Sequence, residues 1–179
     1  TEDLKACFPD TYKQILSVAY FLILEENNPL SRFLHWQKYH IHPYGEDLPS
    51  QRSSDLFQSI EEAGRMMFFR KQGKRRLEKE YWAFDTTSIS SYSEALEQVK
   101  KGNNKEHDRL PQLNLALLFG EESGLPFYYR KLAGNIADVA TIRELMEEFD
   151  VMGYKQIKLV LDRGFYSQKN INALFTHHQ

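Results

Sequence analysis

Two aspartates carry the clearest chemical signature in this sequence. Asp85 follows the aromatic run Tyr81-Trp82-Ala83-Phe84, and Asp162 follows the run Lys158-Leu159-Val160-Leu161. Aromatic and branched runs of this kind read as strands, which puts each carboxylate at the carboxyl end of a strand. In open sheets with helices on their faces, ligands bind outside the carboxyl ends of the strands. If these two strands are neighbours, the carboxylates converge, and two such charges repel strongly unless a cation lies between them. Hard carboxylate oxygens suit Mg2+ or Mn2+, and a pair of such ions about 3.5–4 Å apart is the usual device for in-line phosphoryl transfer. The plainer alternative is that both aspartates only form turns or caps, as the word Asp162-Arg163-Gly164 allows.

Other residues could serve the same chemistry from the side. Arg70, Lys71, Lys74, Arg75 and Arg76 form a basic cluster able to neutralise DNA phosphates. The same cluster also suits a solvated helix end, where the helix dipole favours cations, and Glu78 and Glu80 dilute it. Lys100, Lys101 and Lys105 lie in the polar connection that leaves the first strand, either as DNA contacts or as an exposed loop. Arg163 is placed to touch a scissile phosphate or to pair with a neighbouring carboxylate. His40 and His42, and His177 and His178, lack a third ligand at zinc spacing and read as surface residues. Cys7 has no histidine partner at a recognisable spacing, and Met66-Met67-Phe68-Phe69 reads as core.

The bulk properties bound what these residues can belong to. A chain of 179 residues holds one ordinary domain and a modest helical appendage. With 41% hydrophobic and 27% charged residues, a packed core is expected rather than disorder. The formal net charge of −2 gives no overall attraction for nucleic acid, so DNA binding must rest on local charge. A single cysteine excludes an internal disulfide and suits a reducing compartment. The longest apolar run near the start, residues 15–24, is broken by Ser17 and is too short to span a bilayer. With no signal-peptide pattern either, a soluble cytoplasmic protein without a membrane partner is expected. The first residue is Thr1 rather than methionine, which suggests a piece of a longer protein.

The elements that must position the aspartates emerge from periodicity. Residues 1–79 read as a helical N-terminal region and residues 80–179 as a separate core. Tyr12, Ile15, Leu16, Ala19, Tyr20 and Ile23 form a stripe at helical spacing after the start signal Pro9-Asp10-Thr11. A second amphipathic helix is expected to open at Ser53-Ser54-Asp55 and run through Leu56, Ile60, Ala63, Met67 and Phe68. Three strands come next: residues 81–87, 113–119 and 125–132, the last two joined by a hairpin loop at residues 120–124. Val139, Ile142, Leu145, Met146 and Phe149 form the apolar face of a helix, residues 157–161 a fourth strand, and Ser167 caps a final helix. The class is α/β, a mixed sheet with flanking helices preceded by helices.

With Asp85 on the first strand and Asp162 at the end of the fourth, this order resembles the ribonuclease-H-like core. The local words resemble insertion-sequence transposases of the DDE type, related to the "insertion sequence four" group. They are Phe84-Asp85-Thr86-Thr87-Ser88, Leu110-Pro111-Gln112-Leu113-Asn114, Gly124-Leu125-Pro126, Ala133-Gly134-Asn135 and Leu161-Asp162-Arg163-Gly164-Phe165, in order over roughly half the chain. The resemblance implies a three-carboxylate enzyme dependent on Mg2+ (or Mn2+) that cuts the ends of its element and joins them to target DNA. It implies double-stranded DNA as partner, both terminal inverted repeats and target. It also implies a homodimer in the intact protein and a bacterial, nucleoid-associated location. Carried over by position, Asp85 and Asp162 are the first two carboxylates, catalytic and metal-binding.

The family's third acid is a glutamate expected downstream on a helix, in a Tyr…Arg…Glu…Lys context. No Asp or Glu comes after Asp162, and Tyr128-Tyr129-Arg130-Lys131 precedes it and is not that motif. The expectation is therefore a catalytic core cut short at its C-terminus, with weak metal binding and little or no strand transfer on its own. Three rivals stand beside it: a ribonuclease-H-fold nuclease that hydrolyses but never joins, a non-catalytic remnant that only binds DNA, and an unrelated mixed α/β module.

Overall fold

The computed structural model describes the chain apart from residues 27, 78, 94, 103–109, 137, 155–156 and 178–179, and apart from the side chains of 138–140, 173 and 176–177. The chain divides into two compact units, Thr1–Lys71 and Gln72–Gln179.

The first unit is helical. It contains α1 (Glu2–Cys7), α2 (Tyr12–Leu24), a 3-10 turn (Leu30–Arg32), α3 (Phe33–Trp36), α4 (Ser50–Ser59) and most of α5 (Glu62–Arg76). Its core gathers Val18 and Phe21 of α2, Phe33 and Trp36 of α3, Leu48, and Leu56 of α4. Phe21 meets Phe33 and Trp36 edge to face, with ring centroids 5.5 and 5.6 Å apart. This differs from the stripe expected for α2, because Tyr20 and Ile23 are exposed and the buried residues are Ser17, Val18 and Phe21. The helix is apolar nearly all round, so periodicity could not select a face; the aromatic pair on α3 does. Buried Ser17 then ties the next loop to α2, its hydroxyl donating to Lys13 O (2.8 Å) and accepting from Tyr44 N–H (2.9 Å).

The expected second helix is two helices. Ser53 lies inside α4 and is buried instead of capping it, and the helix starts after Pro49, whose fixed φ suits a helix entrance. It stops at Ile60, which leaves the helical region (φ −78°, ψ 86°), and α5 begins two residues later. The break lets α5 approach Phe8 closely: a Cβ on Gly64 would lie 2.6 Å from the Phe8 ring.

The second unit is a four-stranded mixed sheet with helices packed on it. Its strands are β1 (Trp82–Ser90), β2 (Gln112–Gly120), β3 (Pro126–Ala133) and β4 (Leu159–Leu161), with α6 (Asp138–Met152) between β3 and β4 and α7 (Gln168–His177) at the end. The order is β3-β2-β1-β4. β1 pairs antiparallel with β2, β2 antiparallel with β3, and β1 parallel with β4, which makes the first and fourth strands neighbours. Residues alternate across the sheet, so Trp82, Phe84 and Thr86 of β1 face the core with Ala116, Leu118 and Leu132. Ile142, Leu145, Met146 and Phe149 of α6 are all buried. Trp82 is the hub, its ring 4.8 Å from Phe127, 5.3 Å from Tyr154 and 5.7 Å from Phe149. Gly153 adopts φ +79° just past α6, the left-handed C′ position that glycine occupies without strain. Arg130 of β3 reaches α6, pairing with Glu148 at 2.6 Å and Glu144 at 3.3 Å.

One expectation about the first strand is corrected. β1 does not stop near Thr87 but runs to Ser90, so Asp85 is an interior residue of the strand. The polar residues after Asp85 stay extended because β2 is long enough to pair with every one of them, down to Ser90↔Gln112.

Candidate active site

Asp85 and Asp162 arrive at one place by different routes. The parallel ladder pairs Trp82↔Leu159, Ala83↔Val160 and Phe84↔Leu161, and there β4 ends. Asp85 and Asp162 are the next residue of each strand, and Asp162 is still extended (φ −68°, ψ 157°). Neighbouring strands lie about 4.8 Å apart, so the two side chains set out from adjacent positions about one strand spacing apart. Both point away from the core, since Phe84 and Trp82 hold the opposite face, and both are exposed. On the side of β2, Asp85 stands in register with Leu117, which stands in register with Tyr129 of β3.

The two carboxylates are held in the same way. Thr86 N–H donates to Asp85 Oδ1 (2.7 Å) and Arg163 N–H donates to Asp162 Oδ1 (2.6 Å). Each bond fixes one oxygen against its own backbone, and among the described residues the second oxygen of each has no partner. The result is two oriented carboxylates with outward oxygens and no lysine or arginine side chain paired to either among the described residues. An open cavity of about 500 Å³ adjoins Asp162, lined also by Arg163, Phe165, Tyr166 and Asn170.

The donor set fits a divalent cation in kind and falls short in number. Carboxylate oxygens are the ligands Mg2+ and Mn2+ prefer, and two negative groups on adjacent strands favour a cation between them. Among the described residues no third His, Cys, Asp or Glu joins them.

The remaining expected site residues separate into groups. Arg163 is exposed beside Asp162. Lys100 pairs through its backbone with Gln112, whose register partner is Ser90, so Lys100 lies level with the carboxyl end of β1, the end toward which Asp85 and Asp162 lead, and Lys101 follows it. From Asp85 to Ser90 the strand covers roughly 17 Å at about 3.3 Å per residue. Lys105 lies outside the described residues. On α5, Arg70, Lys74 and Arg75 are exposed and Lys71 is half-buried. Arg76 is half-buried, pairs with buried Glu80 (3.3 Å) and lies 5.1 Å over the Phe127 ring, at the amino end of β1. His40 is exposed, as expected, with its ring stacked on Trp36 (4.5 Å, 8°), while His42 is half-buried with Nδ1 3.1 Å from Ser17 Oγ. Glu78 and His178 lie outside the described residues, as does the side chain of His177.

Three features near the site escaped the sequence. Glu80 is a clamp rather than a diluting charge: its carboxylate accepts from the backbone N–H groups of Glu122 (3.1 Å) and Ser123 (2.9 Å), holding the β2–β3 hairpin. Gln112 Nε2 donates to Gly134 O (3.0 Å) and Asn114 Nδ2 to Ile136 O (3.2 Å), so two of the matched words form one buried polar network. Polar residues at alternate positions of an apolar strand were the available signal. The third is the contact between Phe84 and Phe165, rings 5.1 Å apart, for which no sequence signal exists.

No curated protein sequence matches the chain. Among solved structures, the chain resembles the Mos1 transposase paired-end complex with left transposon end, at 12% identity and a TM-score of 0.35. That superposition covers 89% of this chain and 55% of the other, so the chain spans about half the length of that transposase. The family model described as "Transposase DDE domain" matches residues 77–179, the whole of the sheet with its helices. The chain belongs to the transposase DDE domain family.

Proposed function

We propose that this chain carries the catalytic core of a DNA transposase related to the "insertion sequence four" group, with Asp85 and Asp162 as two of its three metal-binding carboxylates. The observation that carries this reading is the placement of both aspartates at the end of one parallel ladder, on the same face, each with an outward oxygen. A divalent cation bound there supplies Lewis-acid stabilisation of charge on a phosphodiester. Asp85 contributes from a rigid interior strand, and Asp162 from the entrance of a turn whose Arg163 can meet a phosphate. Lys100 and Lys101, with Arg70, Lys71, Lys74 and Arg75, would neutralise DNA phosphates, and the helical N-terminal region would serve DNA binding. Arg76 contributes through Glu80 to the fold.

In the intact protein the expected activity is cleavage of element ends followed by joining of a 3′-hydroxyl to target DNA, performed by a homodimer in the bacterial cytoplasm. By itself, with two carboxylates, this chain binds metal weakly and does not join strands. The test is a strand-transfer assay of the intact protein on DNA bearing the element's ends. Joining that disappears in Asp85→Asn and Asp162→Asn supports the proposal. Hydrolysis without joining identifies a nuclease instead, and DNA binding without any cleavage identifies a non-catalytic DNA-binding protein.

A further inference from the structure

Only three ladder pairs hold β4 to β1, and the last is Phe84↔Leu161. Backbone pairing therefore fixes Asp85 but stops one residue short of Asp162. Directly after Asp162 the chain makes a 3-10 turn, Arg163–Phe165, closed by Phe165 N–H on Asp162 O (3.0 Å). Phe165 is buried, and its ring meets Phe84, the residue directly before Asp85, at 5.1 Å. The turn that follows Asp162 is thus packed, through Phe165 as its hinge, on the residue that precedes Asp85. One side chain fixes that hinge. Asn170, on the first turns of α7 and 2% exposed, donates from Nδ2 to Phe165 O at 2.8 Å. Its own backbone N–H donates to Ser167 Oγ (3.1 Å), which fastens the helix start.

The amide of Asn170 is an unusual choice for stability alone. Its Oδ1 is buried without a hydrogen-bond partner among the described residues. A half-satisfied buried amide costs free energy that an apolar residue of similar volume avoids.

We propose that Asn170 is a positioning residue: through Phe165 it holds Asp162 at the distance from Asp85 that a shared divalent cation requires. This rests on the metal-binding reading of the two aspartates. Partners that orient metal ligands typically change affinity by about 10–100-fold when removed.

The experiment is a Mn2+ titration of the full chain by electron paramagnetic resonance, with melting temperatures measured alongside. Asn170→Ala removes the donor, and Asn170→Leu removes it while keeping the volume, in case the alanine variant does not fold. Leu174→Ala, on the same helix and lining the same cavity, is the control for general loosening. Both Asn170 variants should bind Mn2+ at least about tenfold more weakly than the unaltered chain, with Leu174→Ala within about twofold. Unaltered affinity in the folded Asn170 variants overturns the positioning role alone. So does an equal loss in Leu174→Ala at a matched fall in melting temperature. An unaltered chain that binds no Mn2+ overturns the reading of the aspartate pair, and the positioning role with it.

Discussion

Asp85 and Asp162 are the same residue type under different constraints. Asp85 lies inside a strand and is paired with β2, while Asp162 has a strand behind it and a turn ahead. A third carboxylate, the buried Glu80, serves the fold. Glu80→Ala would leave Arg76 largely buried without its partner and release two hairpin N–H groups. It should lower unfolding free energy by about 3 kcal/mol in urea denaturation, and a loss under about 1 kcal/mol would contradict the clamp. Cys7 gives a pH prediction. Burial pushes its thiol pKa up, against the opposing pull of Lys71, with Asp3 adding a smaller upward push. The raised value keeps the reactive thiolate scarce at neutral pH, so iodoacetamide should alkylate Cys7 more slowly in the folded chain than in urea at the same pH. Equal rates would contradict it.

At the scale of elements, the parts that burial writes strongly into sequence were legible. The hairpin of β2 and β3, the amphipathic α6 and the cap at Ser167 all arise from patterns that nothing overrides locally. The first unit was less legible. α1 and α3 are too short to show periodicity, and α2 is apolar on more faces than it buries. The break between α4 and α5 depends on where Phe8 must fit, which is a tertiary fact. Gly64→Ala tests it: the added methyl would push on the Phe8 ring and should cost about 1–3 kcal/mol, although alanine alone would favour the helix. A gain in stability would show that the ring simply moves aside. For the site, the two aspartates were legible as acids that follow apolar strand runs, but neither their alignment nor the place of Asp85 inside β1 was, because register is set by pairing. The extension of β1 to Ser90 shows the limit, since a polar strand end looks like a loop until its partner is known.

At the scale of the whole molecule, the formal charge of −2 leaves no general attraction for DNA, so binding has to come from a few local cations. Affinity for duplex DNA should fall steeply with salt, and removing one phosphate-contacting cation should reduce the salt slope by about one. Lys74→Ala and Arg75→Ala are expected to do this in a filter-binding or fluorescence titration. Arg76→Ala should instead lower the melting temperature, because its partner is Glu80. An unchanged slope in Lys74→Ala and Arg75→Ala would remove α5 from the DNA-contacting surface.

The pairing of Asp85 with Asp162 is tested most directly by calorimetric titration of Mn2+ into the unaltered chain, Asp85→Asn and Asp162→Asn. The expected result is weak binding in the unaltered chain that either substitution abolishes, with the melting temperatures little changed because both side chains are exposed. No binding in the unaltered chain, or binding that survives both substitutions, would contradict a shared metal site at the end of the parallel ladder.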